Sequence, residues 1–199
     1  MSSVAASAST AEPADTRARI LDVALELFSE HGFEGTTLQQ IADRLGFTKA
    51  ALYYHFRSKD DLLQALIAPA VGELDALLAA HEDEPDTPAE RRRFVVEYLD
   101  CLLRQRRLIA YMASDIAIVA HPLIAAGARE RQKRVIARVI DDELDFREQV
   151  RVVAAFRGIS GAIAHYPNAD TAELRAALID VAKDLLRPGR RHVRPAATG

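Results

Sequence analysis

The chain has 199 residues, of which 49% are hydrophobic and 28% charged, with a formal net charge of −3. That length suits one domain or two small ones and can bury a core without staples; the single Cys101 excludes an internal disulfide and fits a reducing, cytoplasmic setting. Net acidity means that bulk charge does not announce a nucleic-acid partner, and acidic or basic residues interrupt every apolar run before the ~18 residues of a membrane span, so no membrane partner is expected.

Residues 1–15 are rich in Ser and Ala, without a basic n-region or an apolar h-region, and read as a disordered tail rather than a signal peptide. From Thr16 the apolar residues Ile20, Ala24, Leu27 and Phe28 recur at helical spacing, with Asp15 or Thr16 as cap and Gly32 as the stop. Thr37 opens a short helix with Leu38, Ile41, Ala42 and Leu45 on one face, and Gln40 stands at the capping-box position. Gly46 ends it, Thr48 caps a further short helix to His55, and Ser58 caps a fourth that starts at Lys59 and runs across Pro69 to about His81. An acidic, Pro-bearing loop over residues 82–88 follows. Helical patterns then cover residues 89–106, 108–120, 123–140, 146–165 and 171–186, and the residues from 189 onward read as a flexible tail. The fold class is therefore all-α. The expected organisation is a first helical unit over residues 16–68 and a second over residues 69–188.

Two short helices that cross steeply need a small residue at the crossing and a residue tolerant of positive φ in the turn. Ala42 and Gly46 fall at those positions, while Ile41, Leu45, Phe47 and Leu52 fall where the pair packs on its core. The runs Gly32-Phe33-Glu34-Gly35-Thr36-Thr37, Ile41-Ala42, Gly46-Phe47-Thr48-Lys49 and Leu52-Tyr53-Tyr54-His55-Phe56, with Lys59 and Leu62, resemble the TetR-family signature across roughly residues 16–68. The rest of the chain resembles that family in being helical and of suitable length.

The resemblance implies a role for each matching position. Thr37 sits where free amides and the helix dipole suit a phosphate. Thr48, Lys49 and Ala50 open the helix that enters the major groove, and Tyr53, Tyr54, His55 and Lys59 contact backbone phosphates. Rival readings stand beside these: one tyrosine covering core, His55 as a packing residue, Lys59 paired with an acid on its own helix. Acids outnumber bases over residues 15–62, but the bases belong to the tail, turn and recognition segments, where a local basic face can hold phosphates.

Beyond residue 69 the resemblance implies a homodimer and a small-molecule pocket. Ala154, Ala155, Gly158, Gly161 and Ala162 form a small-residue face suited to close helix approach, about a two-fold axis or within one chain. Pocket candidates are Phe94, Tyr98, Tyr111, Met112, Asp115 and Phe156. Asp115 lies in an apolar run and needs a partner: an internal arginine (Arg104, Arg131 or Arg134) or a cationic or hydrogen-bonding ligand. Histidines and the cysteine form no pair at metal-ligand spacing, and no nucleophile elbow, P-loop or dinucleotide fingerprint occurs, so no metal, cofactor or catalytic residue is expected. The sequence thus points to a dimeric repressor that reads a pseudo-palindromic double-stranded operator and is released by a small effector, with Pro69 as a candidate pivot. The alternative is a helical dimer governed by protein contacts.

Overall fold

The structure is a computed structural model and describes residues 13–140 and 144–185. Among these residues helices alternate with turns and no strand occurs. The backbone separates into two compact units, Met1–Ala68 and Pro69–Gly199. The tail expected after residue 189 lies outside the described residues, as does all but the end of the one expected before residue 16.

The first unit opens with α1 (Pro13–Gly35), which starts inside the expected tail, with Pro13 as its first residue. Ile20, Ala24, Leu27 and Phe28 form its buried stripe. Gly32 breaks the helical path at the expected place, with φ 74° and ψ 164°, and a short helical turn follows it to Gly35. Thr36, 0% exposed, seals the kink. Its hydroxyl lies within hydrogen-bonding distance of the Leu27 and Gly32 carbonyls, at 3.1 and 2.9 Å, so this buried donor is satisfied. Two short helices follow, α2 (Leu38–Leu45) and α3 (Lys49–His55).

The fourth helix, α4 (Lys59–Ala80), belongs to both units and continues through Pro69. Ser58 accepts from the Asp61 amide at 3.0 Å and the Asp61 carboxylate accepts from the Arg57 amide at 3.0 Å, a reciprocal cap. With 22 residues and a mean hydropathy of 1.6, α4 is long and apolar enough to cross a membrane by length and composition. Two of its acids, Glu73 and Asp75, pair in the second unit with Arg104 and Arg131.

That unit continues with α5 (Pro88–Arg104), capped by Thr87, and α6 (Arg106–Ser114). Residues 108–120, expected as one helix, break at Asp115, whose carboxylate accepts from the Ile118 amide at 3.3 Å and starts α7 (Ile116–Val119). An aspartate competes for backbone donors and favours a cap over a helix interior. The basic stretch 123–140 also divides, into α8 (Pro122–Ala125) and α9 (Ala128–Ala137). Gly127 separates them with φ 73°, and a Cβ there would lie 2.6 Å from the Arg131 guanidinium. The helices α10 (Phe146–His165) and α11 (Thr171–Leu185) keep their expected spans almost to the residue. Phe94 and Leu99 of α5, Ile159 and Ile163 of α10 and Leu178 of α11 belong to one buried cluster.

Arg175 of α11 grips Asp100 of α5 through two bonds of 2.5 and 2.9 Å. The guanidinium holds the Asp100 carboxyl below its ordinary value of 3.8. A carboxyl with a depressed folded pKa stabilises the fold above its unfolded pKa, and that contribution disappears as pH falls through the folded value. Because the pair is partly exposed, Asp100→Asn is expected to cost no more than about 1 kcal/mol at pH 7. Urea denaturation should show the gap to wild type constant down to about pH 5 and closing below 3.8.

Candidate nucleic-acid interface

Short helices can stand only if their caps and turn are satisfied and one face is buried. In α2 the Thr37 hydroxyl accepts from the Gln40 amide at 3.2 Å, and the Gln40 side-chain oxygen accepts from the Thr37 amide at 2.7 Å. Gly46 leaves the helix with φ 69°, while the Phe47 amide donates to the Ala42 carbonyl at 2.9 Å. A β-carbon meets no obstacle at Gly46, so the demand for glycine there is conformational. Thr48 then caps α3, accepting from the Ala51 amide at 3.1 Å. Ile41, Ala42 and Leu52 are buried, and Leu45 and Phe47 are half-buried.

The other face of this pair is open. Thr37, Thr48, Lys49, Ala50 and Ala51 are exposed, Tyr53 is 42% exposed and Tyr54 86%. The Lys49 ammonium stands 5.6 Å from the Tyr53 ring centroid, and the Tyr54 and His55 rings meet edge to face at 5.2 Å. Thus α3 turns one buried leucine inward and a cation, a hydroxyl, two methyls and two phenols outward. A helix so dressed can fill a major groove and reach the flanking phosphates.

Lys59 has a different setting. Its ammonium donates to the Phe33 carbonyl at 2.7 Å, lies 4.5 Å from the Phe33 ring centroid and is 3.6 Å from Glu34. It ties the end of α1 to the start of α4, by a partner from another helix that no spacing along the sequence could indicate. Arg17 was also missed: from α1 it donates to the His55 carbonyl at 3.3 Å and stacks over Phe56 at 4.3 Å. It brings a further cation to the end of α3.

In the second unit, Phe94, Tyr98 and Phe156 form a stack with centroid separations of 6.1 and 5.6 Å. Burial pushes the Tyr98 hydroxyl up to about 12. Burial and the neighbouring Asp115 raise the Tyr111 hydroxyl as well. The Tyr111 hydroxyl donates to Asp115 at 3.5 Å, and Met112 is half-buried on the same helix. Of the arginines expected beside Asp115, Arg104 pairs with Glu73, Arg131 with Asp75 at 2.8 Å and Arg134 with Glu82 at 3.9 Å. A polar cleft of about 220 Å³ opens among Glu73, Leu77, Glu97, Asp100, Cys101 and Arg104, and none of the six pocket candidates lines it.

Residues 20–66 match the family profile described as bacterial regulatory proteins, tetR family. The chain is 39% identical over 94 residues to the HTH-type transcriptional regulator SrpR of Pseudomonas putida, covering 46% of this chain and 42% of that protein. To the HTH-type transcriptional regulator TtgR of the same species it is 29% identical over 160 residues, covering 77% and 67%. The chain spans 42%, 66% and 49% of three curated relatives it resembles at 36–39% identity, short of two thirds in each. Among solved structures it is similar to the TetR-family transcriptional regulator PfmR of Thermus thermophilus, with a TM-score of 0.60, 27% identity, and coverage of 87% of this chain and 100% of that one.

The setting of Lys59 generates a test. Lys59→Ala removes a charge-assisted bond in a partly buried site and should lower stability by about 1–2 kcal/mol in thermal denaturation. Unchanged stability together with a salt slope of DNA binding shallower by about one would assign the ammonium to a phosphate instead.

Proposed function

The chain belongs to the TetR family of bacterial regulatory proteins, and on that premise we propose that it is a DNA-binding transcriptional repressor. It works in the cytoplasm as a homodimer on a pseudo-palindromic operator and is released by a small-molecule effector. The observation that carries this reading is α3, with Leu52 fully buried and Thr48, Lys49, Ala50, Tyr53 and Tyr54 exposed. Such a helix contributes little to its own core beyond one leucine, and its outward chemistry suits groove and phosphate. Thr37 adds a capped helix N-terminus for a further phosphate, and His55 completes the contact set, while Lys59 holds the start of α4 to the end of α1.

The homodimer reading draws on α10. Ala154, Gly158 and Gly161 are exposed, and a β-carbon on either glycine meets nothing within 4 Å. The partly exposed Val150 and Val181 and the largely exposed Phe146 lie on α10 and α11 as well. A second copy docked on these helices would cover apolar surface that otherwise favours control by protein contacts. For the effector, a drug-sized ligand needs roughly 300–1,000 Å³, so entry would part the Phe94–Tyr98–Phe156 stack and engage Tyr111, Met112 and Asp115. Release would pass through α4, which belongs to both units. Within it Pro69 lacks the donor that would bond Ala65, so a bend there costs less.

Footprinting on DNA flanking its own gene tests the reading. Wild type should protect two half-sites whose centres lie about one helical turn, ~34–36 Å, apart. Lys49→Ala should weaken binding by roughly 5- to 150-fold, since a good base contact is worth about 1–3 kcal/mol, while leaving the fold intact. Protection of a single half-site would contradict the dimer, and unchanged affinity in Lys49→Ala would remove α3 from the groove.

A further inference from the structure

The turn between α4 and α5 holds a buried histidine. His81 is 1% exposed, and its ring meets Phe94 edge to face at 5.2 Å at the margin of the apolar core. Its Nε2 lies 2.9 Å from a Glu97 carboxylate oxygen. In the tautomer that donates from Nε2 to Glu97, Nδ1 presents a lone pair. It faces Glu84 Oε2 at 2.6 Å, out of line for a hydrogen bond. His81 Nδ1, Glu84 Oε2 and Glu90 Oε2 are each buried and lack a hydrogen-bond partner, and all three lie within 4.8 Å of one another.

Three buried polar atoms that converge without a hydrogen bond carry a desolvation cost. Arg93 offsets part of the charge. It pairs with Glu84, lies 2.8 Å from Glu90 Oε2 out of line for a hydrogen bond, and is 3.9 Å from Glu97. One guanidinium against the carboxylates of Glu84, Glu90 and Glu97 leaves two negative charges over when the imidazole is neutral. A divalent cation would satisfy both the charge and the three bare atoms.

We propose that His81 Nδ1, Glu84 Oε2 and Glu90 Oε2 hold a divalent first-row transition ion of the zinc class, with Glu97 orienting the imidazole. One imidazole with carboxylates suits zinc and its neighbours, whereas calcium and magnesium prefer all-oxygen sets. Three protein ligands leave a fourth position for water or a ligand atom. A carboxylate on the second ring nitrogen is the usual device for fixing the tautomer of a metal-bound histidine. Rotation of the two glutamate side chains, both only half-buried, brings their oxygens to bonding distance. The ion then joins the end of α4 to the first turn of α5. The expectation of no metal site rested on histidine and cysteine spacing alone; the signal it passed over is His81 with Glu84 three residues on and Glu90 in the next helix. This inference is independent of the repressor reading, since it uses only the geometry of this turn.

The test uses the full chain, purified without a histidine tag and stripped with chelator. Titration with Co²⁺ should give one ion per chain and ligand-field bands of a four- or five-coordinate site. Zn²⁺ should displace the cobalt and raise the Tm. Glu90→Gln should fold, because its side chain is half-buried, and should weaken Co²⁺ binding at least a hundredfold. Glu97→Gln should keep one ion per chain with affinity reduced about 10–100-fold. His81→Gln serves as a second ligand variant. No stoichiometric cobalt uptake by wild type, equal affinity in Glu90→Gln, or Ca²⁺ binding as tight as Zn²⁺ would overturn the proposal.

Discussion

The first unit rests on a constraint of length. An eight-residue helix and a seven-residue helix cannot pay for their own nucleation in water. Burial of Ile41, Ala42 and Leu52 must supply what hydrogen bonding alone does not. That burial needs a turn of one shape, which Gly46 provides, and a shared core, in which Phe28 of α1 and Leu62 and Leu63 of α4 are also buried. The Lys59 bond to the Phe33 carbonyl then links the end of α1 to the start of α4. Every outward-facing group on α3 owes its position to this arrangement.

It follows why the first unit was so legible in the sequence. Its structure is written in local chemistry: Thr37 with Gln40, Gly46 in the turn, Thr48 and Ser58 as caps, and apolar residues at three- and four-residue steps. These interactions span a few residues and leave their mark at fixed spacing. At Gly32 a glycine after a helical stripe reads as a stop, and the backbone does leave the helix there; the further turn to Gly35, and the Thr36 hydroxyl that donates back to the Leu27 and Gly32 carbonyls, left no such mark.

The second unit was legible in its α10 and α11 spans and not in its middle. The breaks at Asp115 and Gly127 depend on competition between a side chain and the backbone, and on the passage of Arg131 toward Asp75. The aromatic stack joins α5 to α10 across some sixty residues of chain, from Tyr98 to Phe156, and no periodicity encodes it. Partners of charged residues are likewise tertiary: Asp100 finds Arg175, and His81 finds Glu97. Candidate ligand residues could therefore be picked by type and burial, whereas the cleft beside Glu73 and Arg104 could not.

The central claim is that the packed pair α2–α3 exists to present one exposed face to DNA. Hydrogen–deuterium exchange with and without a bound operator duplex tests it most directly. Amides of residues 37–40 and 48–55 should gain protection on binding, while amides under Ile20 and Phe28 in α1, already buried, should change little. Tight binding that leaves residues 48–55 unprotected, with new protection confined to the second unit, would contradict the account.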